Sequence, residues 1–430
     1  MILIYQLLNS KLNFIKEVSI LTIEKFIALP ITFIVSALIA RSLGPENYGS
    51  FVFAQAILTL LTGISSFGVS NYLTNELAIE NFKHNKILSS LISIRFLFSI
   101  LLIILILFYS FFISDIQAAN SLRLLIIALL FSSFDFLNVY LLYKKQVLKS
   151  ALSRFIPLII SIFIKLIFIY FEFTVLYFIV AQLIQLSLCA IFYFINTKHL
   201  KLSFKLNYEV LILFLKNGWP FFISIIVISI FMRIDQIFIQ NYLGSTSNGI
   251  YAAGTRLSEL WYYIPTVLIS LIFPRMAKIY DTNKINYKSY FLFVLLFMIL
   301  LSILILILTS LFGFTLINSI YGSEYSSSAH ILLIHIWTVP FVFLGLVFNM
   351  HIIKKNLQVY ETICLTAGAI SNIVLNFILI EKYALLGVAF ATVAAQFISN
   401  LVFPLLLAPL RKEYYYLIKD IKYVRNFRNN

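Results

Sequence analysis

Charge is what this sequence has least of. Aspartate and glutamate together number 17 in 430 residues, and all charged residues make up 11%. A soluble domain carries about 25%, so this chain has too few charges to cover a water-facing surface, and a water-soluble enzyme is excluded. Cysteine is nearly missing as well. Cys189 and Cys364 are the only two, both inside apolar runs, so there is neither a disulfide framework nor metal-ligand spacing, and they read as small packing residues. Glycine and proline total 22, which excludes a low-complexity or collagen-like chain. No Walker A loop, G-x-G-x-x-G, H-E-x-x-H or C-x-x-C occurs, and His330, His335 and His351 are not spaced as a metal pair on one helical face. No catalytic constellation is visible, and no cofactor is expected.

What is present is hydrocarbon. Apolar residues make up 61%, aromatics 17%, and the mean hydropathy is +0.99. A helix needs about 20 apolar residues to cross a bilayer, and twelve such runs are found. They are 18–40, 50–73, 87–113, 122–143, 155–171 and 175–195, then 213–240, 250–273, 290–318, 329–352, 359–380 and 385–409. None has the alternating period of a membrane β-barrel. The expected fold is therefore an all-α integral membrane protein with twelve transmembrane helices. Residues 1–17 show no small-residue cleavage site and read as an amphipathic start rather than a removable signal peptide.

The formal net charge of +15 is topological. Of the 32 basic residues, 24 fall in the termini and the loops on one side, two (Arg41 and Lys382) on the other, and six within spans. By the positive-inside rule both termini are cytoplasmic, and nucleic acid is not an expected partner. Every outward loop is short, which argues against a membrane glycan polymerase with a large outer catalytic loop.

The chain divides into halves: a cytoplasmic N-terminus (1–17), an N-lobe of six spans (18–195), a linker (196–212), a C-lobe of six spans (213–409) and a basic tail (410–430). Leu43-Gly44 and Gly49-Ser50-Phe51 recur 200 residues later as Leu243-Gly244 and Gly249-Ile250-Tyr251. Asn138 and Lys144-Lys145-Gln146 are echoed by Asn349 and Lys354-Lys355-Asn356. Because each half has an even number of spans, the repeats are parallel, as in transporters that place substrate between their halves. In the linker, Leu200, Leu202, Phe204 and Leu206 alternate with polar residues, as in an extended or interfacial segment, and Asn207 is placed to cap the seventh span.

Ten charges lie within the spans: Glu24, Lys25, Arg95, Arg123, Asp135, Lys165, Arg233, Asp235, Arg256 and Glu259. Each costs about 2.5–3.5 kcal/mol at mid-bilayer, so the deeper ones are expected in a hydrated interior. Six are basic, and a net cationic interior suits an anionic cargo, with arginine able to engage phosphate oxygens in pairs. Arg256, Lys25, Arg95 and Arg233 are the candidate cargo contacts. Glu24, Asp135, Lys165, Asp235 and Glu259 are candidates for ion coupling or charge pairing. The plainer alternatives are a pair between Arg256 and Glu259, a pair between Asp135 and Lys165, and snorkelling of Arg233 and Asp235. Arg123 reads as an interfacial anchor. Trp261, Tyr262 and Tyr263 read as packing residues, and Asn372, Asn376, Gln182 and Gln185 as interhelical hydrogen-bonding groups.

The stretch Ala40-Arg41-Ser42-Leu43-Gly44-Pro45-Glu46-Asn47-Tyr48-Gly49 resembles the opening motif of polysaccharide flippases of the O-antigen (Wzx) type. So do Leu215-Lys216-Asn217-Gly218-Trp219-Pro220 and the stretch from Arg233-Ile234-Asp235-Gln236 to Arg256-Leu257 and Phe273-Pro274-Arg275. The resemblance implies a MATE-like twelve-helix fold of the multidrug and oligosaccharidyl-lipid exporter superfamily in the bacterial cytoplasmic membrane. It implies as cargo an undecaprenyl-pyrophosphate-linked repeat unit of O-antigen or a related surface glycan, flipped by alternating access and driven by an H⁺ or Na⁺ gradient. Membrane lipids, a polysaccharide polymerase and a chain-length regulator are the implied partners. Related lipid-linked peptidoglycan-precursor flippases use basic residues in helices one, two and eight. Lys25 and Arg256 match the first and last, whereas span 50–73 has no charge. A multidrug or small-cation exporter of the same superfamily is the alternative, and a polymerase a weaker one.

Overall fold

A computed structural model describes residues 2–70, 73–74, 84–200 and 202–418; the side chains of 2–19, 21–22, 25, 84, 213, 217–218, 220–221 and 418 are outside the description. Among the described residues there is no strand. The chain divides into two compact units, residues 1–229 and 230–430, taken below as unit 1 and unit 2.

Unit 1 opens with α1 (Ile2–Ser66) and continues through α2 (His84–Tyr109), α3 (Ile116–Leu125), α4 (Ala128–Ser132), α5 (Leu137–Tyr143), α6 (Val147–Tyr170) and α7 (Val175–Asn196). The long helix α8 (Tyr208–Glu259) runs into unit 2. There follow α9 (Tyr263–Thr282), α10 (Lys284–Tyr321), α11 (Ser328–His335), α12 (Thr338–Lys354), α13 (Gln358–Phe397), α14 (Phe403–Leu406) and α15 (Ala408–Ile418). Nine helical stretches among the described residues are long and apolar enough to cross a membrane. Three of them, Phe26–Ser66, Phe222–Thr282 and Gln358–Leu406, run to 41, 61 and 49 residues. Each contains one non-helical residue where two helices meet: Gly44, Gly244 and Ala384.

The repeat read from the sequence is written in the backbone. Gly44 has φ 72° and ψ 170°, and Gly244 has φ 80° and ψ 178°. That region is essentially reserved for glycine, and any side chain there costs about 1–3 kcal/mol. At Gly244 no atom lies within 4 Å of where a Cβ would stand, so the requirement comes from the backbone and not from crowding. Gly244→Ala is accordingly expected to destabilise unit 2 by about 1–3 kcal/mol although it touches nothing, and Gly44→Ala to act likewise in unit 1. Thermal unfolding in detergent checks both, and an unchanged midpoint for either would contradict the assignment. The second echo recurs at Lys145 (φ 55°) and Asn356 (φ 57°), 211 residues apart. Asn138 and Asn349 keep that spacing, while the Lys-Lys tripeptides run at 210, so the structural register is one residue off the tripeptide match. The helices also break alike: α3 stops at Leu125 and α4 starts at Ala128, as α11 stops at His335 and α12 starts at Thr338.

The segment before α8 is held by unit 1. Ser203 N donates to Ser89 Oγ and Asn207 N to Ser90 Oγ, each at 3.1 Å. Leu200 is buried while Phe204 and Leu206 are exposed. Asn207 Oδ1 accepts from Val210 N at 3.2 Å, which is the expected cap. Cys189 and Cys364 are buried free thiols.

Candidate functional site: buried charge in each unit

In unit 1 the intramembrane charges find partners that the sequence did not indicate. Glu24, on α1, forms an ion pair with Arg154 of α6, Oε2 to Nη2 at 2.6 Å, with side-chain exposures of 11% and 32%. Arg154 stands in an expected loop, yet α6 begins at Val147, so the helix carries it inward. The structure does not pair Asp135 with Lys165. Arg95 and Asp135 are electrostatic neighbours instead, and the Arg95 guanidinium, buried at 2% exposure, lies 5.7 Å from the centre of the Phe136 ring. Lys165, on α6, donates to Gln182 Oε1 of α7 at 2.9 Å. Gln182 is thus an interhelical hydrogen-bonding group as expected. Arg123 donates from Nε to Ser110 Oγ at 2.8 Å and sits 4.9 Å over Phe111, an anchor at the end of its span. The side chain of Lys25 lies outside the described residues.

The Glu24–Arg154 pair is between the surface and fully buried cases, so removing one partner is expected to cost about 1–3 kcal/mol. Arg154→Gln, Glu24→Gln and the double variant form a cycle whose coupling term is read from thermal or denaturant unfolding. A coupling indistinguishable from zero would show that the pair holds nothing in place.

In unit 2 two acids, Asp235 and Glu259, line a cavity of about 20 Å³, room for a water molecule. Asp235 is its centre. Tyr251 Oη donates to Asp235 Oδ2 at 2.8 Å, Thr392 Oγ1 to the same oxygen at 2.5 Å, and Asn376 Nδ2 to Oδ1 at 2.7 Å. Those donors come from α8 beyond its break at Gly244 and from the two segments of α13 on either side of Ala384. Among the described residues no cation touches the carboxylate; three hydrogen bonds offset its desolvation. Asn372 Oδ1 accepts from Asn376 at 3.2 Å, and Val388 O lies 3.1 Å from Thr392 Oγ1. Asn376 Oδ1 is buried with no donor. A carboxylate, two amide oxygens, a hydroxyl and a carbonyl crowded together are the donor set of a hard cation, and a carboxylate in such a place can equally hold a proton.

Glu259 lines the same cavity, and the cations whose fields reach it are Arg233 and Arg256. The expected Arg256–Glu259 neighbourhood is therefore present, with Arg233 as a further member. Arg233 and Asp235, two residues apart on one helix, point apart as helical geometry requires, and Arg233 Nε is buried without an acceptor. Two ties stitch the helix break after Glu259 to the break between α11 and α12. Ser258 and His335 share a hydrogen bond of 2.6 Å, and the Tyr262 and Thr338 hydroxyls bond to each other. Nothing in the sequence marks the roles of Tyr251 and Thr392. Tyr251 stands in the repeated motif, but Phe51 fills its place in the first half, so the motif signals an aromatic ring and not a hydroxyl.

Known proteins resemble the chain in sequence and in fold. The sequence profile described as polysaccharide biosynthesis protein matches residues 14–280. The capsular polysaccharide biosynthesis protein CapF of Staphylococcus aureus is 21% identical over 424 residues, covering 95% of this chain and all of that one. Among solved structures, the lipid II flippase MurJ in an inward closed conformation matches with a TM-score of 0.75 at 19% identity, over 89% of this chain and 86% of that one. A multidrug resistance MATE family transporter of the MOP superfamily, inward-facing, matches at 0.72 and 15% identity, over 94% and 99%. At these identities the structures speak for the fold: all-helical, with the architecture of MurJ and the MATE transporters. With its profile matched over more than half its length, the chain belongs to the polysaccharide biosynthesis protein family.

Proposed function

We propose that the chain is a flippase that carries an undecaprenyl-pyrophosphate-linked oligosaccharide, a repeat unit of O-antigen or a related surface glycan, from the cytoplasmic to the outer leaflet by alternating access. The observation that carries this reading is Arg256, a half-buried arginine on a membrane helix in a family that makes polysaccharide. A pyrophosphate needs such a donor, and arginine offers its fork of N–H groups. Arg233, Arg95 and Lys25 are the further basic residues of the spans that this reading offers to the cargo. Splitting the three broken helices at Gly44, Gly244 and Ala384 turns nine stretches into twelve passages, six on each side of the linker. The lysine bias then sets both termini in the cytoplasm of a bacterial inner membrane.

Asp235 is the coupling group in this reading, taking up H⁺ or Na⁺ from the gradient that drives the cycle, with Glu259 lining the same pocket within the field of Arg256. The MATE likeness favours a second reading, export of a small organic cation, for which an acidic pocket is suited. The excess of basic over acidic residues within the spans, six to four, counts against it, since a cationic cargo wants an acidic or aromatic pocket.

Deletion of the gene from its source bacterium separates the two. The flippase reading expects the lipid-linked unit to accumulate on the inner leaflet, surface glycan to be lost, and ethidium export to stay unchanged. Normal surface glycan with impaired ethidium export would establish the exporter instead.

A further inference from the structure

Just past α13 the chain leaves the ordinary helical path. Pro404 has no N–H to give to the Asn400 carbonyl four residues back, and its ring crowds that carbonyl. The helix widens in response: Ile398–Val402 form a single π-turn, and Phe403 N–H bonds to Ile398 O, five residues back. Such turns concentrate at functional sites. This one is kept although Ser399 Oγ, buried within it, makes no hydrogen bond among the described residues.

Two glycines receive the turn. Asn400 fills the space that a Cβ on Gly345 of α12 would take, its Cγ 2.7 Å from that point, and Ser399 Cβ is 2.6 Å from where a Cβ on Gly368 of α13 would stand. A side chain at either position would push the turn away. So seated, Asn400 Nδ2 donates to Gln396 O at 3.0 Å and to Gln396 Oε1 at 2.8 Å. A main-chain carbonyl can only accept, so the first bond fixes which end of the Asn400 amide faces Gln396, and the second fixes the Gln396 amide in turn. Gln396 lines the Asp235 cavity. Thr392, Gln396 and Asn400 recur every four residues and so lie along one side of the helix. Thr392 donates to Asp235, and Asn372, one turn on from Gly368, donates to Thr392 at 3.4 Å. One polar side therefore runs from the partners of the carboxylate to the π-turn.

We propose that Asn400 is a positioning residue for the ion pocket. Seated by the π-turn in the slot at Gly345, it holds Gln396 in the cavity wall and thereby sets the affinity for the coupling ion, from outside the lining of the cavity. The inference rests on the coupling role given to Asp235 above and adds the part of the fold that regulates it. Groups beyond the direct ligands of an ion tune its affinity by orienting what surrounds it.

The test uses the full purified chain in non-ionic detergent. Its thermal unfolding midpoint is followed against Na⁺, with choline keeping the ionic strength constant, and against pH in the absence of Na⁺. A bound ion raises the midpoint as its concentration passes the dissociation constant, and the part of the response missing from Asp235→Asn belongs to the pocket. The wild type is expected to show that part on one of the two axes. Asn400→Ala should lower the midpoint and weaken the ion by roughly 10- to 100-fold. Adding Gly345→Ala puts a methyl group into the slot that Asn400→Ala empties, so the double variant should recover the midpoint and not the ion affinity, whereas a packing role alone would restore both. Asn283→Ala, which removes the cap of α10, should lower the midpoint with the ion affinity unchanged. Wild-type affinity in Asn400→Ala, recovered affinity in the double variant, or an equal loss in Asn283→Ala would overturn this inference and leave Asp235 in its role. A wild-type response no different from that of Asp235→Asn on either axis would overturn both.

Discussion

Asp235→Asn is expected to uncouple transport while leaving the fold in place. Asparagine keeps the shape of the side chain but removes the charge at the centre of the hydrogen-bonded cluster, leaving Glu259 as the other carboxylate of the cavity, and it turns a pure acceptor into a group with its own N–H pointing at three donors. If the pocket transmits a gradient through a coupling free energy of about 1–3 kcal/mol, the gradient-driven rate falls roughly 5- to 150-fold. Downhill exchange without a gradient persists. Asp235→Glu is expected to fail too, because a cavity of about 20 Å³ has no space for another methylene and an ion together. Cargo transfer in proteoliposomes under imposed Na⁺ and H⁺ gradients measures this, and the ion whose gradient stops mattering in the variant is the coupling ion. Full gradient dependence in Asp235→Asn would remove Asp235 from the mechanism.

Arg256→Ala is expected to cut cargo transfer by about 10- to 100-fold, the worth of one charge-assisted hydrogen bond to an anionic group. Arg256→Lys should restore part of the rate, since it keeps the charge and loses the paired N–H geometry. Arg123→Ala is the matched control. Its guanidinium is occupied by Ser110 and Phe111, so transfer should be unaffected. Equal losses at Arg256 and Arg123 would mean that helix stability and not cargo contact is being measured.

The contrast between fold and site has a physical origin. Hydrocarbon thickness sets the length of an apolar run, so spans can be read from composition alone, and glycine's backbone freedom marks the breaks at Gly44 and Gly244 in a repeated Leu-Gly. The break at Ala384 is marked differently, by Glu381 and Lys382 interrupting the apolar run. Which buried charge meets which is another matter, because that depends on how each helix is rotated about its axis and how neighbours slide. Asp135 and Lys165 looked like partners by depth, yet packing gives Asp135 to Arg95 and Lys165 to Gln182. Glu24 was read beside Lys25 and is paired with Arg154, a residue the sequence left in a loop because α6 starts earlier than hydropathy suggests. The Asp235 cluster draws on residues from 235 to 392, and only Asp235 among them carries a charge that flags it. The two asparagines were legible as hydrogen-bonding groups sharing a helical face, but not as ligands of that carboxylate.

The central claim is that this chain moves a lipid-linked oligosaccharide across a bilayer. Its most direct test is reconstitution of the purified protein in liposomes carrying a fluorescent undecaprenyl-pyrophosphate oligosaccharide, with the leaflet read by a membrane-impermeant quencher. The account predicts transfer between leaflets far above protein-free liposomes, raised by an ion gradient and cut about 10- to 100-fold in Arg256→Ala. Transfer no faster than in protein-free liposomes, with export of a small organic cation from the same vesicles, would contradict it.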